Sequence, residues 1–272
     1  MRVIAITSGK GGVGKTAVSV NLGIALARGG KSVMLMDADL GLANVDVLLG
    51  LQPRYNLSHV IEQRCDLGEI IVPGPSGMQI VPGASGIKKM TALQSTEHAA
   101  LVHAFNDIEQ DLDILLVDTS AGINETVVTF VRACQEVVVV VCDEPASITD
   151  AYALIKVLSR DYRVSHFRIL ANRMPSVQQG RELFEKLARV TDRFLDVVLD
   201  FMGVVPEDEY LRKAVQQQQS VIERFPSSRS AIAFRRLAKE AETWPQISYP
   251  DGHFQFFFDR LLNVHAPRGW EE

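Results

Sequence analysis

Eight residues, Gly9-Lys10-Gly11-Gly12-Val13-Gly14-Lys15-Thr16, limit what this chain can fold into more than any other stretch. They satisfy G-x-x-x-x-G-K-[ST] and stand between a β-branched run at 3–7 and a segment of helical period at 16–28. A strand, loop and helix in this order turn the loop's N–H groups inward around phosphate oxygens and add the positive end of the helix dipole. Glycine permits such close wrapping because it carries no Cβ. Lys15 is then the candidate charge for the β and γ phosphates, and the Thr16 hydroxyl is the candidate ligand of Mg²⁺. The backbone from Gly11 through Gly12, Val13 and Gly14 to Ala17 is the candidate cradle.

The rest of the chain alternates in the same way. Further apolar runs fall at 32–36, 78–81, 114–117, 137–142, 167–171 and 197–205. Segments of helical period lie between or after them at 96–109, 125–134, 148–160, 178–193, 207–217 and 229–244. Such alternation predicts an α/β fold, with a mostly parallel sheet covered by helices on both faces. Residues 1–244 form one body. Pro245, Pro250, Asp251 and Gly252 mark a linker at 245–252, followed by a helical segment at 253–263 and a tail at 264–272.

Composition removes several classes of function. The chain has 272 residues, 47% hydrophobic and 22% charged, which suffices for a large core and is far from the signature of disorder. A net charge of −5 without a long basic run argues against coating nucleic acid, so no direct nucleic-acid partner is expected. Cys65, Cys134 and Cys142 are too widely spaced for a disulfide framework or a C-x-x-C site and suit a reducing compartment. The first residues lack an export signal, and the longest apolar stretch, 137–142, is far short of the roughly twenty residues needed to cross a bilayer. A cytoplasmic protein is expected, at most peripheral to the inner face of the cell membrane. The six histidines show no ligand spacing and no G-x-S-x-G elbow occurs, so covalent catalysis is not indicated.

A phosphate loop that supports hydrolysis also needs acids at neighbouring strand ends, to hold the metal and position water. Asp37-Ala38-Asp39 follows the run ending at Met36, and Asp118 follows the run ending at Val117. With Lys10, the loop resembles the deviant Walker A box of the MinD/ParA ATPases, which carry an extra lysine near its start. The resemblance implies a P-loop NTPase fold, ATP and Mg²⁺ as cofactors, slow ATP hydrolysis and a homodimer formed with ATP. It implies that Lys10 reaches phosphates held by the second subunit, that Asp39 orients the attacking water, and that Asp37 and Asp118 support the metal with Thr16. By the same resemblance Asn172 and Pro206, with Arg173, Glu207 and Asp208, flank adenine.

Within that family, residues 37–46 and 142–156, with Arg132-Ala133 and 190–196, are similar to the flagellar-number regulators of the FlhG/FleN branch. Members restrain a master transcriptional activator of flagellar genes, FleQ-like, and oppose the flagellar GTPase FlhF; the resemblance implies these partners here. Ala17 departs from the second threonine usual in MinD. The chain begins at its first strand, without the extension by which some members stimulate FlhF, so activation by that route is not expected. Other readings of the same loop are a positioning ATPase for another cargo, a P-loop ligase or synthetase acting on a small carboxylate, and a DNA-partitioning ATPase. An iron–sulfur carrier is disfavoured, since no cysteine follows Asp118 closely.

Phe254, Phe257, Phe258, Leu261 and Leu262 repeat at the spacing of one helical face, with Gln255, Asp259, Arg260 and Asn263 opposite and Phe256 among them. Burying five such side chains is worth on the order of 10 kcal/mol gross. Each basic residue adds about 1 kcal/mol against anionic lipid. Arg260 is the only basic residue in the segment, so binding of 253–263 to a membrane surface would be driven by apolar burial. A helix that packs on the body gives the same pattern, and the two alternate if docking depends on the nucleotide state.

Overall fold

The computed structural model describes residues 1–39, 44–62, 64–83 and 112–245. The helix expected at 96–109, the segment 253–263, the tail and residues 246–252 of the linker lie outside the described residues. Strand β1 (Arg2–Ser8) leads through the glycine-rich loop into α1 (Lys15–Arg28). Next come β2 (Val33–Ala38), the short helices α2 (Val45–Leu49), α3 (Leu57–Ile61) and α4 (Leu67–Ile70), then β3 (Val72–Pro73) and β4 (Gln79–Val81). The second half follows as β5 (Ile114–Ala121), α5 (Glu125–Ala133), β6 (Glu136–Val141), α6 (Pro145–Tyr162), β7 (His166–Met174), α7 (Val177–Phe194) and β8 (Val198–Pro206). Helices α8 (Glu209–Gln216), α9 (Val221–Arg224) and α10 (Arg229–Thr243) close the body.

The eight strands form one sheet in the order β3-β4-β2-β5-β1-β6-β7-β8. All pairings are parallel except β3 with β4. The two-residue period of a strand divides the apolar runs between two cores. Val3, Ala5, Leu115, Val117, Val139 and Ile169 face α5, α6 and α7, where Phe130, Leu154 and Leu183 meet them. Ile4, Ile6, Leu35, Leu116, Val138 and Leu170 face α1 and α10, against Val18, Leu22 and Phe234. Because the strands run parallel, the carboxyl ends of β1, β2, β5 and β7 open on one edge of the sheet.

The strands overrun their sequence limits at the functional edge. Asp37 lies inside β2 and Asp118 inside β5, paired with each other in register, because backbone pairing continues where the apolar pattern stops. Helix α6 begins at Pro145 rather than 148, with Glu144 as its N-cap, and the Ser147 hydroxyl accepts from the Cys142 N–H at 3.1 Å. The segment expected as a helix from 207 starts at Glu209, capped by Asp208. At the opposite pole Trp244 is buried, its ring stacked by Arg168 at 4.0 Å and its carbonyl held by Arg2 at 2.7 Å. Among the described residues no helix is long and apolar enough to cross a membrane.

Candidate functional site

The loop is gripped from three sides. Ser8, the last residue of β1, donates its hydroxyl to the Lys10 carbonyl at 3.0 Å. Gly14 caps α1 in the left-handed region, φ 88°, where a side chain is strained, and a Cβ there would lie 2.6 Å from Asn172 Nδ2. That amide donates to the Val13 carbonyl at 2.7 Å. Gly9 is required by close approach, since a Cβ would come within 2.2 Å of the Asp150 carbonyl oxygen on α6. The loop shape therefore depends on β7 and α6 as well as on its own glycines.

Beneath the loop, strand alternation puts Asp37 and Asp118 on the α1 face, the side of Leu35 and Leu116. Lys15 Nζ lies 3.3 Å from Asp118 Oδ1, with the lysine side chain 8% exposed and the aspartate 0%. Ser19, one turn further along α1, donates to the same oxygen at 2.8 Å. Asp118 Oδ2 is buried with no hydrogen-bond partner among the described residues, as is Asn172 Oδ1. Asp37 accepts the Asp39 N–H on Oδ1 at 3.0 Å, and the Asn44 and Val45 N–H groups on Oδ2 at 3.0 and 3.2 Å. Burial and the neighbouring Asp118 nevertheless push the Asp37 carboxyl up to about 6, against those three hydrogen bonds. Two crowded carboxylates, one with an orphaned oxygen, beside a buried ammonium make an electrostatic arrangement that a dication and a polyphosphate would complete. These residues fit Mg²⁺ and a nucleotide.

At the rim, Lys10 Nζ pairs with Glu144, the N-cap of α6, at 2.5 Å. The hydrogen bond raises the Lys10 ammonium and lowers the Glu144 carboxyl, so each keeps the other charged. Thr16 is partly exposed at the start of α1, and Asp39 stands where β2 gives way to the segment leading to α2. Arg173 has φ 55°, at a register shift between β7 and β8, and its guanidinium comes within 3.8 Å of the point that a Gly14 Cβ would occupy. A left-handed arginine is a strained backbone position, and here it lies beside the glycine-rich loop.

The residues expected to flank adenine divide. Asn172 and Arg173 are brought to the loop, and Pro206 ends β8 opposite Met174 with Glu207 exposed beside it. Asp208 is engaged elsewhere: it accepts from Tyr210 N–H at 2.9 Å, and from the Ser230 N–H and hydroxyl at 2.8 Å each. Burial raises its carboxyl, yet these hydrogen bonds, with Arg229 close by, outweigh it and leave the group below its ordinary range. Ser19 and Glu144 are contacts that the motif does not reveal. Glu144 stands out only as an acid before Pro145, and a serine inside a helix carries no signal.

A parallel sheet whose first loop presents buried Lys15 above two strand-borne aspartates defines a P-loop nucleoside triphosphatase. A family model described as ParA, "NUBPL iron-transfer P-loop NTPase", matches residues 1–242. The chain belongs to the ParA/MinD family of P-loop ATPases, and ATP and Mg²⁺ are its cofactors. It is 58% identical to the antiactivator FleN of Pseudomonas aeruginosa over 98% of this chain and 95% of that protein. It is 32% identical to the flagellum site-determining protein YlxH of Helicobacter pylori, over 96% of this chain and 90% of that one. The solved structure of MinD from Pyrococcus horikoshii, complexed with Mg-ADP, is similar at TM-score 0.68 and 27% identity, over 89% of this chain and 96% of that chain.

Proposed function

We propose that this chain is an ATP-driven switch that restrains a flagellar transcriptional activator and so limits the number of flagella per cell. The observation that carries this reading is the near full-length similarity to FleN. The bound Mg²⁺ would neutralise charge on the phosphates, held by Thr16 with Asp37 and Asp118. Lys15 leaves Asp118 to meet the phosphates, and the backbone of Gly11 to Ala17 surrounds them. Asp39 orients the attacking water. Asn172 holds its Nδ2 on Val13, which leaves Oδ1 as an acceptor suited to the adenine amino group. Arg173, Pro206 and Glu207 complete the base side, while the Asp208 carboxylate is taken up by Tyr210 and Ser230.

In this reading two copies face each other across their nucleotides, and Lys10 serves the partner's phosphates. To do so it must release Glu144, so dimer formation alters the first turn of α6. That coupling supports a docking surface for the activator, FleQ-like, along 143–156. A cytoplasmic location, contact with FlhF and contact of 253–263 with a membrane surface belong to the same proposal.

The test is capture of the activator by the full chain with ATP, with ADP and without nucleotide. ATP should increase capture, and Lys156→Glu should reduce it without changing the ATPase rate. Equal capture in all three states would remove the switch. A deletion strain with unchanged flagellar number would remove the physiological role.

A further inference from the structure

Ser19 is fully buried on α1, a helix whose neighbouring residues Val18, Val20 and Leu22 are buried and apolar. Its hydroxyl has two acceptors within reach, the Lys15 carbonyl at 3.2 Å and Asp118 Oδ1 at 2.8 Å. It has one proton to give, and the shorter contact to a carboxylate is the stronger kind. Lys15 Nζ approaches the same Oδ1 at 3.3 Å. Both donors thus gather on one oxygen. Oδ2 is left buried, with no hydrogen-bond partner among the described residues, beside Asp37 on the adjacent strand.

We infer that Ser19 is a positioning residue for Asp118: it holds Oδ1 so that Oδ2 keeps facing the metal's hydration shell after Lys15 has moved to the phosphates. The inference rests on the proposed metal-supporting role of Asp118. A carboxylate that loses its ammonium partner is free to turn about χ2, a broad torsion with little intrinsic preference. A donor fixed on a helix that does not move with the lysine side chain removes that freedom. The motif supplies the lysine, and Ser19 keeps the aspartate in place while the lysine is away.

The experiment titrates Mg²⁺ against the full chain with a fluorescent, slowly hydrolysed ATP analogue, reading half-saturation rather than turnover. Ser19→Ala should raise the half-saturating Mg²⁺ concentration roughly tenfold, the scale of one hydrogen bond to a charged group. Affinity for ADP without Mg²⁺ should stay within about twofold, because the loop that holds the phosphates is untouched. Ser19→Cys, similar in size but a weak donor, should shift Mg²⁺ in the same direction and serves if the alanine variant folds poorly. In an Asp118→Asn background, Ser19→Ala should add nothing. If Asp118→Asn leaves the Mg²⁺ requirement unchanged, the metal role of Asp118 fails, and this inference with it. If Asp118→Asn shifts it and neither Ser19 variant does, only the positioning role is overturned.

Discussion

Lys15 and Asp39 lie at the same edge of the sheet, yet their chemistry predicts different losses. In the proposed site Lys15 supplies the charge that offsets a triphosphate, so Lys15→Ala should abolish ATP binding in a titration. Asp39 lies at the end of β2, outside the loop, so Asp39→Ala should preserve ATP binding while slowing hydrolysis roughly a hundredfold. Equal loss of affinity in both variants would count against these roles. Asp208 belongs to a different category. Its carboxylate joins the start of α8 to the start of α10, and Asp208→Ala should cost about 2 kcal/mol in denaturant unfolding, for one cap and the Ser230 contacts, with nucleotide affinity unchanged. The sign with pH follows from a carboxyl held below its unfolded value of 3.8. Its stabilisation is complete above that value and disappears as pH falls through the lower, folded-state one, so the wild-type advantage over Asp208→Ala should shrink on acidification.

Helix α6 and the phosphate loop behave as one element because Gly9 packs directly on the Asp150 carbonyl. A methyl group has no room there and must push either backbone. Gly9→Ala should therefore weaken nucleotide binding by displacing the loop, although residue 9 carries no functional group. It should also destabilise the fold by about 1–3 kcal/mol, measured by thermal unfolding. That glycine was legible as part of a motif, but the reason for it was not, since the partner lies 141 residues away. The strands of the central sheet were legible because valine-rich runs such as Glu136–Val141 are buried on both faces. Helices α2, α3, α4 and α9 were not, because four or five residues do not complete two turns and so show no period. Strand β3, two residues long and antiparallel, has no alternation to read. In the site, Lys15 could be found by the loop motif, and Asp37 and Asp118 by their place after apolar runs. The contacts between Asp208 and Ser230 could not, because only the packing of α10 against the β8 end brings Ser230 near.

At the scale of the whole molecule, the nucleotide edge holds a partly exposed, charged lysine, Lys10, on the glycine-rich loop. In a single copy Lys10 is paired with Glu144, both side chains at least one-third exposed, so solvent screens the pair and it is readily exchanged. In the proposed dimer, a triphosphate carried by the facing copy would offer Lys10 several negative oxygens in a site that excludes water as the two surfaces close, where a charge contact is stronger than at a surface. In the same proposal Lys10 would contribute little to binding within its own copy, because Lys15 and the loop backbone would already supply that charge. Lys10→Ala should accordingly bind nucleotide within about twofold of wild type and remain monomeric with ATP in light scattering. Wild type should change from monomer to dimer on adding ATP and return to monomer with ADP. Its hydrolysis rate per molecule should rise with protein concentration, as expected when each site is completed by the other copy. If Lys10→Ala dimerises with ATP as wild type does, or if the wild-type rate per molecule is independent of concentration, Lys10 acts within its own site and the exchange with Glu144 has no part in the switch.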